Sequence, residues 1–241
     1  MKKMSKQIIS VSRRTDILAF YSEWFINRIK AGYCTVVNPF KANQVSYVSL
    51  KPKDVIGFVF WTRNPRPLMA YLPYLDKQGY KYYFQYTIIG YPKEIDPKSP
   101  SVKSAIKTFK ELSKLIGKEK VILRYDPILL SNKTPYQWHL KQATFLMEAL
   151  SGYASRLVVS FIDPYRKTKL RLDKETSDSF KLRHNTFDVQ AYNKIAEFIG
   201  KEAVKYGLEV QSCAEEIDLN KYGISHGKCI DGDLINKITK S

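Results

Sequence analysis

The chain has 241 residues, of which 44% are hydrophobic, so it is long enough to bury a substantial core. Forty Lys and Arg residues against 23 Asp and Glu residues give a formal net charge of +17, which attracts anions such as nucleotides and nucleic acids. No apolar stretch approaches the roughly 20 residues of a membrane-spanning helix, and three cysteines form no even disulfide framework. We therefore expect a single cytoplasmic domain over residues 1–241, with no membrane partner.

Short apolar runs alternate with amphipathic segments along the chain. The predicted strands are residues 8–11, 35–37, 55–61, 82–88, 121–125, 157–162 and 208–211, and the clearest predicted helices are 100–116, 135–150 and 187–206. This alternation indicates parallel βαβ units in an α/β fold, and seven such strands favour a TIM-type barrel, complete or partial. A doubly wound sheet is the second choice, because no Gly-x-Gly-x-x-Gly follows any strand.

Four of the apolar runs end in an acid or amide followed by proline. These ends are Asn38-Pro39, Asn64-Pro65, Asp126-Pro127 and Asp163-Pro164. Proline has no backbone donor and holds its predecessor extended, so each run is predicted to be a strand that stops there. If the strands are parallel in one sheet, their polar ends share one edge, where α/β folds place their chemistry.

The residues expected at this edge combine cations, carboxylates, amides and an aromatic ring. They are Ser12, Arg13, Arg14, Asp16, Asn38, Trp61, Arg63, Asn64, Gln85, Arg124, Ser160 and Cys213 for substrate binding, and Asp126, Asp163 and Glu215 as candidate acid or base groups. Paired arginines before a helix suit phosphate or carboxylate, because a guanidinium forks onto two oxygens. The alternative is that each carboxylate only fixes a neighbouring arginine in a structural ion pair.

Two further features bear on the site. Residues 163–186 show no clear period and carry seven Lys and Arg residues, which predicts a long basic loop over the site or a surface insertion without a role. His226 and Cys229, with Cys213 upstream, are three possible zinc ligands, but their number and spacing fit no zinc signature. We therefore predict no metal site.

Several segments spread over the chain carry a family resemblance. They are residues 12–17, 19–21, 38–39, 60–65, 82–87, 124–127, 160–161 with 163, 213–224 and 229–231. In these segments the chain resembles a bacterial family catalogued as domain of unknown function eighteen-forty-eight. That family is similar to radical S-adenosylmethionine enzymes, so the resemblance implies a barrel, S-adenosylmethionine and an iron–sulfur cluster held by a C-terminal cysteine-rich tail. Residues 234–241 contain no cysteine and do not resemble that tail. A cluster, if one is bound, is therefore expected from a partner chain.

We interpret the chain as an enzyme that binds an anionic substrate, a phosphate-bearing nucleotide or nucleic acid, at the carboxyl edge of the strands. The arginines position the substrate and the acidic candidates handle protons. The alternative is a non-catalytic, basic nucleic-acid-binding barrel that has lost the iron–sulfur tail. Salt dependence separates these hypotheses, because affinity that rests on phosphate contacts falls steeply with ionic strength.

Overall fold

The computed structural model describes residues 6–11, 15–162, 189–213 and 218–240. The strands are β1 (Gln7–Val11), β2 (Tyr33–Asn38), β3 (Lys41–Ser49), β4 (Val55–Thr62), β5 (Tyr82–Thr87), β6 (Val121–Ile128), β7 (Arg156–Phe161), β8 (Glu209–Ser212) and β9 (Ile224–His226). The helices are α1 (Ile17–Phe20), α2 (Ser22–Ala31), α3 (Arg66–Met69), α4 (Leu72–Lys77), α5 (Val102–Ile116), α6 (Tyr136–Leu150), α7 (Val189–Lys205) and α8 (Gly232–Lys240). The predicted α/β class is confirmed.

Seven parallel strands form one sheet in the order β1-β4-β5-β6-β7-β8-β9. The order begins at β1 and ends at β9, and no pairing among the described strands closes the sheet. A complete TIM barrel is therefore not confirmed, and a partial one stays a prediction.

The chain divides into two compact units, Met1–Tyr86 with Ile230–Ser241 and Thr87–Cys229. The expectation of a single domain stays a prediction.

Strand β4 is the spine of the first unit and pairs in parallel with β1 and β5. Phe58 and Phe60 share one of its faces because strand side chains alternate, and both meet the ring of Phe25 edge-on. Gly57 lies under α8, where an added Cβ would stand 2.7 Å from Cδ1 of Ile235. A residue without a side chain is therefore what lets α8 pack against β4.

The first asparagine–proline end belongs to a separate two-stranded antiparallel sheet, made by β2 and β3. Asn38 donates to Oε1 of Gln44 at 2.7 Å and accepts from the backbone N–H of Phe40 at 2.9 Å. An asparagine that bonds the backbone two residues on stabilises a turn. The prediction that β2 ends at the edge of the parallel sheet is therefore wrong, because Asn38 leads into a hairpin turn.

The second unit contains strands β6 to β9, of which β6, β7 and β8 were predicted. β6 continues through the cis bond between Asp126 and Pro127, with an irregular register between Tyr125 and Ile128. The prediction that this strand stops before proline is wrong. Helix α5 is capped by Ser101, whose hydroxyl accepts from the N–H of Ser104 at 3.3 Å.

The basic loop and the absence of a membrane partner are two further expectations from the sequence. The predicted basic loop at 163–186 lies outside them. Within the part of the chain that the structure describes, no helix is both long and apolar enough to cross a membrane. The cytoplasmic location stays a prediction.

Candidate functional site

The carboxyl ends of β6, β7 and β8 bring predicted site residues together. These residues are Arg124, Asp126, Ser160 and Cys213. The strand register explains the convergence, because Tyr125 of β6 pairs with Val159 of β7, and Val159 pairs with Ser212 of β8. The next residues, Asp126, Ser160 and Cys213, therefore lie at the same level along the sheet. We call this group the strand-end cluster.

An ion pair lies at the centre of the strand-end cluster. Arg124 and Asp126 share a face of β6 because strand side chains repeat every two residues. The guanidinium donates to Oδ2 of Asp126 from both Nε, at 2.8 Å, and Nη2. Ser160 donates its hydroxyl hydrogen to Oδ1 of the same carboxylate. Both oxygens of Asp126 are thus engaged, which fixes the direction of the carboxylate.

Burial makes this ion pair costly. Arg124 is 3% exposed, and burying a charge costs several kcal/mol even after relaxation. Burial by itself lowers the pKa of Arg124, but the charge of Asp126 and the contacts of Asp126 and Cys213 outweigh it and raise the pKa. Buried ion pairs seldom add net stability compared with apolar packing. Stability alone therefore explains the strand-end cluster poorly.

Cys213 follows directly after β8 and connects the cluster to a second cysteine. Its backbone N–H donates to the carbonyl of Val159 at 3.0 Å, and Arg124 donates a hydrogen bond to its sulfur. Burial raises the pKa of the Cys213 thiol, although the guanidinium acts in the opposite direction. Its Sγ lies 3.3 Å from Sγ of the exposed Cys229. Sequence analysis grouped these cysteines with His226 as possible zinc ligands, but it did not predict β9, the strand that brings them together.

A buried histidine of α6 contacts β6 through Tyr125 and has a structural role. Nε2 of His139 donates to the carbonyl of Leu129 at 2.9 Å, so Nδ1 accepts from the hydroxyl of Tyr125 at 2.8 Å. Burial lowers the pKa of His139 to about 4, against a smaller opposing effect of the Leu129 carbonyl. The ring is therefore neutral near pH 7, and both of its nitrogens are occupied.

A different arrangement forms where β4 ends in the first unit. Oδ1 of Asp16 accepts from the N–H of Ala19 at 3.0 Å and caps α1. The same carboxylate accepts from the hydroxyl of Thr62 at 2.9 Å and from the backbone N–H of Arg63 at 2.7 Å. Asp16 therefore joins the start of α1 to the end of β4.

The remaining predicted residues of the first unit have local roles. Nε1 of Trp61 donates to the hydroxyl of Ser10 on β1 at 3.0 Å. The side chain of Asn64 accepts from the N–H of Arg66 at the start of α3, at 3.3 Å. Gln85 is buried in β5 at the register position opposite Trp61.

Five predicted residues cannot be placed. Ser12, Arg13, Arg14, Asp163 and Glu215 lie outside the described residues. Their proposed roles stay predictions, as does the substrate-binding role of Asn38, which lies in the hairpin turn of β2 and β3.

The cysteines determine whether the chain could hold the iron–sulfur cluster that the family resemblance implies. Such clusters are usually held by four cysteine thiolates. In the second unit, Cys213 and Cys229 lie together, so the described part of this unit supplies two thiolates. Among the described residues, no group of three or more His, Cys, Asp or Glu side chains could hold a metal ion. The described residues therefore do not fit a cluster.

Comparison with known proteins places the chain in a family. No curated protein matches it. The family described as Domain of unknown function (DUF1848) matches residues 8–241, which is nearly the whole chain. This match confirms the family expected from the sequence, while the relationship to radical S-adenosylmethionine enzymes stays a prediction. The chain belongs to the DUF1848 family.

Proposed function

We propose that the chain is an enzyme that binds a phosphate-bearing nucleotide at the carboxyl ends of β6, β7 and β8. The observation that carries this proposal is the buried ion pair of Arg124 and Asp126 at that sheet edge. Open α/β sheets bind their ligands outside the carboxyl ends of their strands. An ion pair that stability explains poorly, at this position, is best explained by function.

Asp126 is the group that meets the substrate. Its side chain is 21% exposed while that of Arg124 is 4% exposed, so solvent reaches the carboxylate and hardly the guanidinium. Arg124 and Ser160 act as positioning residues that hold the carboxylate through both oxygens. A carboxylate held in this way accepts a hydrogen bond, or a proton, from a substrate hydroxyl such as that of a ribose.

The charge of the chain supports a phosphate-bearing substrate. With a formal net charge of +17, the protein raises the local concentration of anions. Asp126 itself repels phosphate, so the phosphate groups must lie away from it. A nucleotide meets both conditions, because its sugar can contact the carboxylate while its phosphate contacts basic residues. A nucleotide is therefore favoured over inorganic phosphate.

Calorimetric titration with ribonucleoside monophosphates, diphosphates and triphosphates tests the proposal. We expect binding of at least one class, with an affinity that falls between about 50 and 200 mM salt because phosphate contacts release counterions. Asp126→Asn keeps the size of the side chain and removes its charge. We expect it to weaken binding at least about tenfold, equivalent to about 1.4 kcal/mol.

Glu94→Gln is the matched control for this titration. Glu94 is 49% exposed and forms an ion pair with Lys133 in the same unit, so the change removes a carboxylate far more exposed than that of Asp126. The control is expected to bind as the wild type does. Absence of nucleotide binding, or equal loss in both variants, would contradict the proposal.

A second candidate function is single-stranded nucleic-acid binding by the β2–β3 hairpin. The rings of Tyr33 and Tyr47 stack at 5.2 Å, and Phe40 is 91% exposed at the turn. The guanidinium of Arg28 lies 5.8 Å from the centre of the Tyr33 ring. Exposed aromatic side chains beside cations are the elements on which single-stranded bases stack.

Oligonucleotide titrations distinguish the two candidates. If the hairpin binds nucleic acid, Phe40→Ser combined with Tyr47→Ser lowers the affinity for a short single-stranded oligonucleotide, and Asp126→Asn does not. Equal binding by the hairpin variant and the wild type excludes this second function. Fluorescence anisotropy at two salt concentrations provides the measurement.

A further inference from the structure

We propose that Cys213 and Cys229 are a redox-active pair that forms a reversible disulfide. Their sulfur atoms lie 3.3 Å apart with both cysteines unbonded. This separation is longer than the roughly 2.05 Å of a disulfide, but only a small movement is needed to close it. The inference does not depend on nucleotide binding, although Cys213 belongs to the strand-end cluster and contacts Arg124.

The parallel pairing of β8 and β9 brings the two cysteines together. Ser212 pairs with His226, and the N–H of Gly227 donates to the carbonyl of Ser212 at 2.8 Å. A Cβ at Gly227 would lie 2.7 Å from that carbonyl oxygen, so a larger residue would force the strands apart. The chain after β8 and the chain after β9 are therefore held side by side, and each carries a cysteine within three residues of its strand.

The different environments of the two thiols assign their order of reaction. Cys229 is exposed, whereas Cys213 is buried and its thiol pKa is raised by that burial. A hydroperoxide from solvent therefore reaches Cys229 first. A thiolate attacks the peroxide oxygen, the O–O bond breaks, and the products are a sulfenic acid on Cys229 and an alcohol or water.

The second step joins the two sulfurs. The thiol of Cys213 attacks the sulfenic sulfur of Cys229, an S–S bond forms, and the hydroxyl leaves with a proton as water. Overall, two thiols lose two electrons and two protons, and the hydroperoxide is reduced. Arg124 assists this step, because its charge and hydrogen bond favour the thiolate form of Cys213. A dithiol reductant regenerates both thiols by thiol–disulfide exchange and is itself oxidised to a disulfide.

Thiol counting with peptide mapping tests the inference on the full chain. The wild type has three cysteines, and we expect stoichiometric hydrogen peroxide to leave one free thiol. Tryptic digestion without reduction should then release the peptides 206–221 and 229–237 as one disulfide-linked species. Its mass should be the sum of the two peptide masses less two hydrogen atoms. Treatment with dithiothreitol should separate them and restore all thiols.

Variants establish the pairing and the order of the steps. Cys34→Ser, which changes the half-buried cysteine of β2, should still form the linked peptides and retain no free thiol. Cys213→Ser should stop at a sulfenic acid on Cys229 that dimedone traps, and Cys229→Ser should react much more slowly. Linkage of Cys34, links only between separate chains, or unchanged thiol counts would overturn the proposal. Because Cys229 is exposed, Cys229→Ser keeps the test valid if Cys213→Ser fails to fold.

Discussion

The two units of the chain use a carboxylate at a strand end in different ways. In the first unit, Asp16 accepts hydrogen bonds from backbone N–H groups and from the hydroxyl of Thr62. In the second unit, Asp126 accepts from a buried guanidinium and from the hydroxyl of Ser160. The first carboxylate organises the backbone, while the second one balances a buried charge.

This difference indicates which of the two carboxylates belongs to the functional site. Capping and turn bonds satisfy backbone groups that folding leaves open, so Asp16 has a complete structural explanation. The pair of Arg124 and Asp126 requires the removal of a guanidinium, and in part of a carboxylate, from water, which costs free energy. The chemistry is therefore assigned to the strand-end cluster of the second unit, and the following variants test that assignment.

The largest effect is expected from Arg124→Met. The variant leaves the carboxylate of Asp126 partly buried without its cation, so the free energy of unfolding should fall by about 3 kcal/mol. Chemical denaturation measures this change. Lys201→Met also replaces the cation of an ion pair by methionine, but this lysine, which pairs with Glu197, is 75% exposed, so the variant should leave the denaturation midpoint unchanged. Equal effects of both changes would remove the distinction between the buried pair and a surface pair.

Asp16→Ala should have the next largest effect. It removes the cap of α1 and the acceptor for the N–H of Arg63, so we expect a loss of about 2 kcal/mol in the free energy of unfolding. Asp16→Asn retains one acceptor oxygen and should lose less. If Asp16→Ala abolishes nucleotide binding while leaving stability intact, the contrast between the two carboxylates is wrong.

The buried histidine of the second unit makes stability depend on pH. The pKa of His139 is lowered from 6.5 to about 4 by burial, so below pH 6.5 the unfolded chain binds a proton that the folded chain does not. Stability should therefore fall as the pH decreases, by about 2 kcal/mol between pH 7 and 5. Denaturation of the wild type and of His139→Gln at both pH values measures this.

The variant His139→Gln cannot titrate in this range. It should be less stable at pH 7, because Tyr125 loses its buried acceptor, yet lose less further stability on acidification. A wild-type slope that the variant retains in full would assign the pH dependence to other groups.

Much of the fold could be predicted from the sequence, because apolar periodicity reports burial directly. Helices α5, α6 and α7 and the strands of the parallel sheet up to β8 follow this pattern. The wrong predictions concern the Asn-Pro and Asp-Pro pairs, which were expected to end strands of the parallel sheet. Asn38-Pro39 and Asp126-Pro127 have similar sequences, but one leads into a hairpin turn and the other lies inside β6.

The site was predictable in part. Alternation along β6 places Arg124 beside Asp126, and the sequence therefore offered both the substrate-binding and the ion-pair interpretations of these residues. The contribution of Ser160 depends on how β7 aligns with β6, which residue order alone does not determine. The proximity of Cys213 to Cys229 depends on β9, a three-residue strand too short to give a periodic signal.

The most direct measurement is a crystal structure of the protein with the nucleotide that binds most tightly in calorimetry. The account predicts a sugar hydroxyl within hydrogen-bond distance of the Asp126 carboxylate, with Arg124 and Ser160 still holding both of its oxygens. A nucleotide bound elsewhere, such as against Tyr33 and Tyr47 of the hairpin, with Asp126 untouched, would contradict the assignment of the strand-end cluster as the functional site.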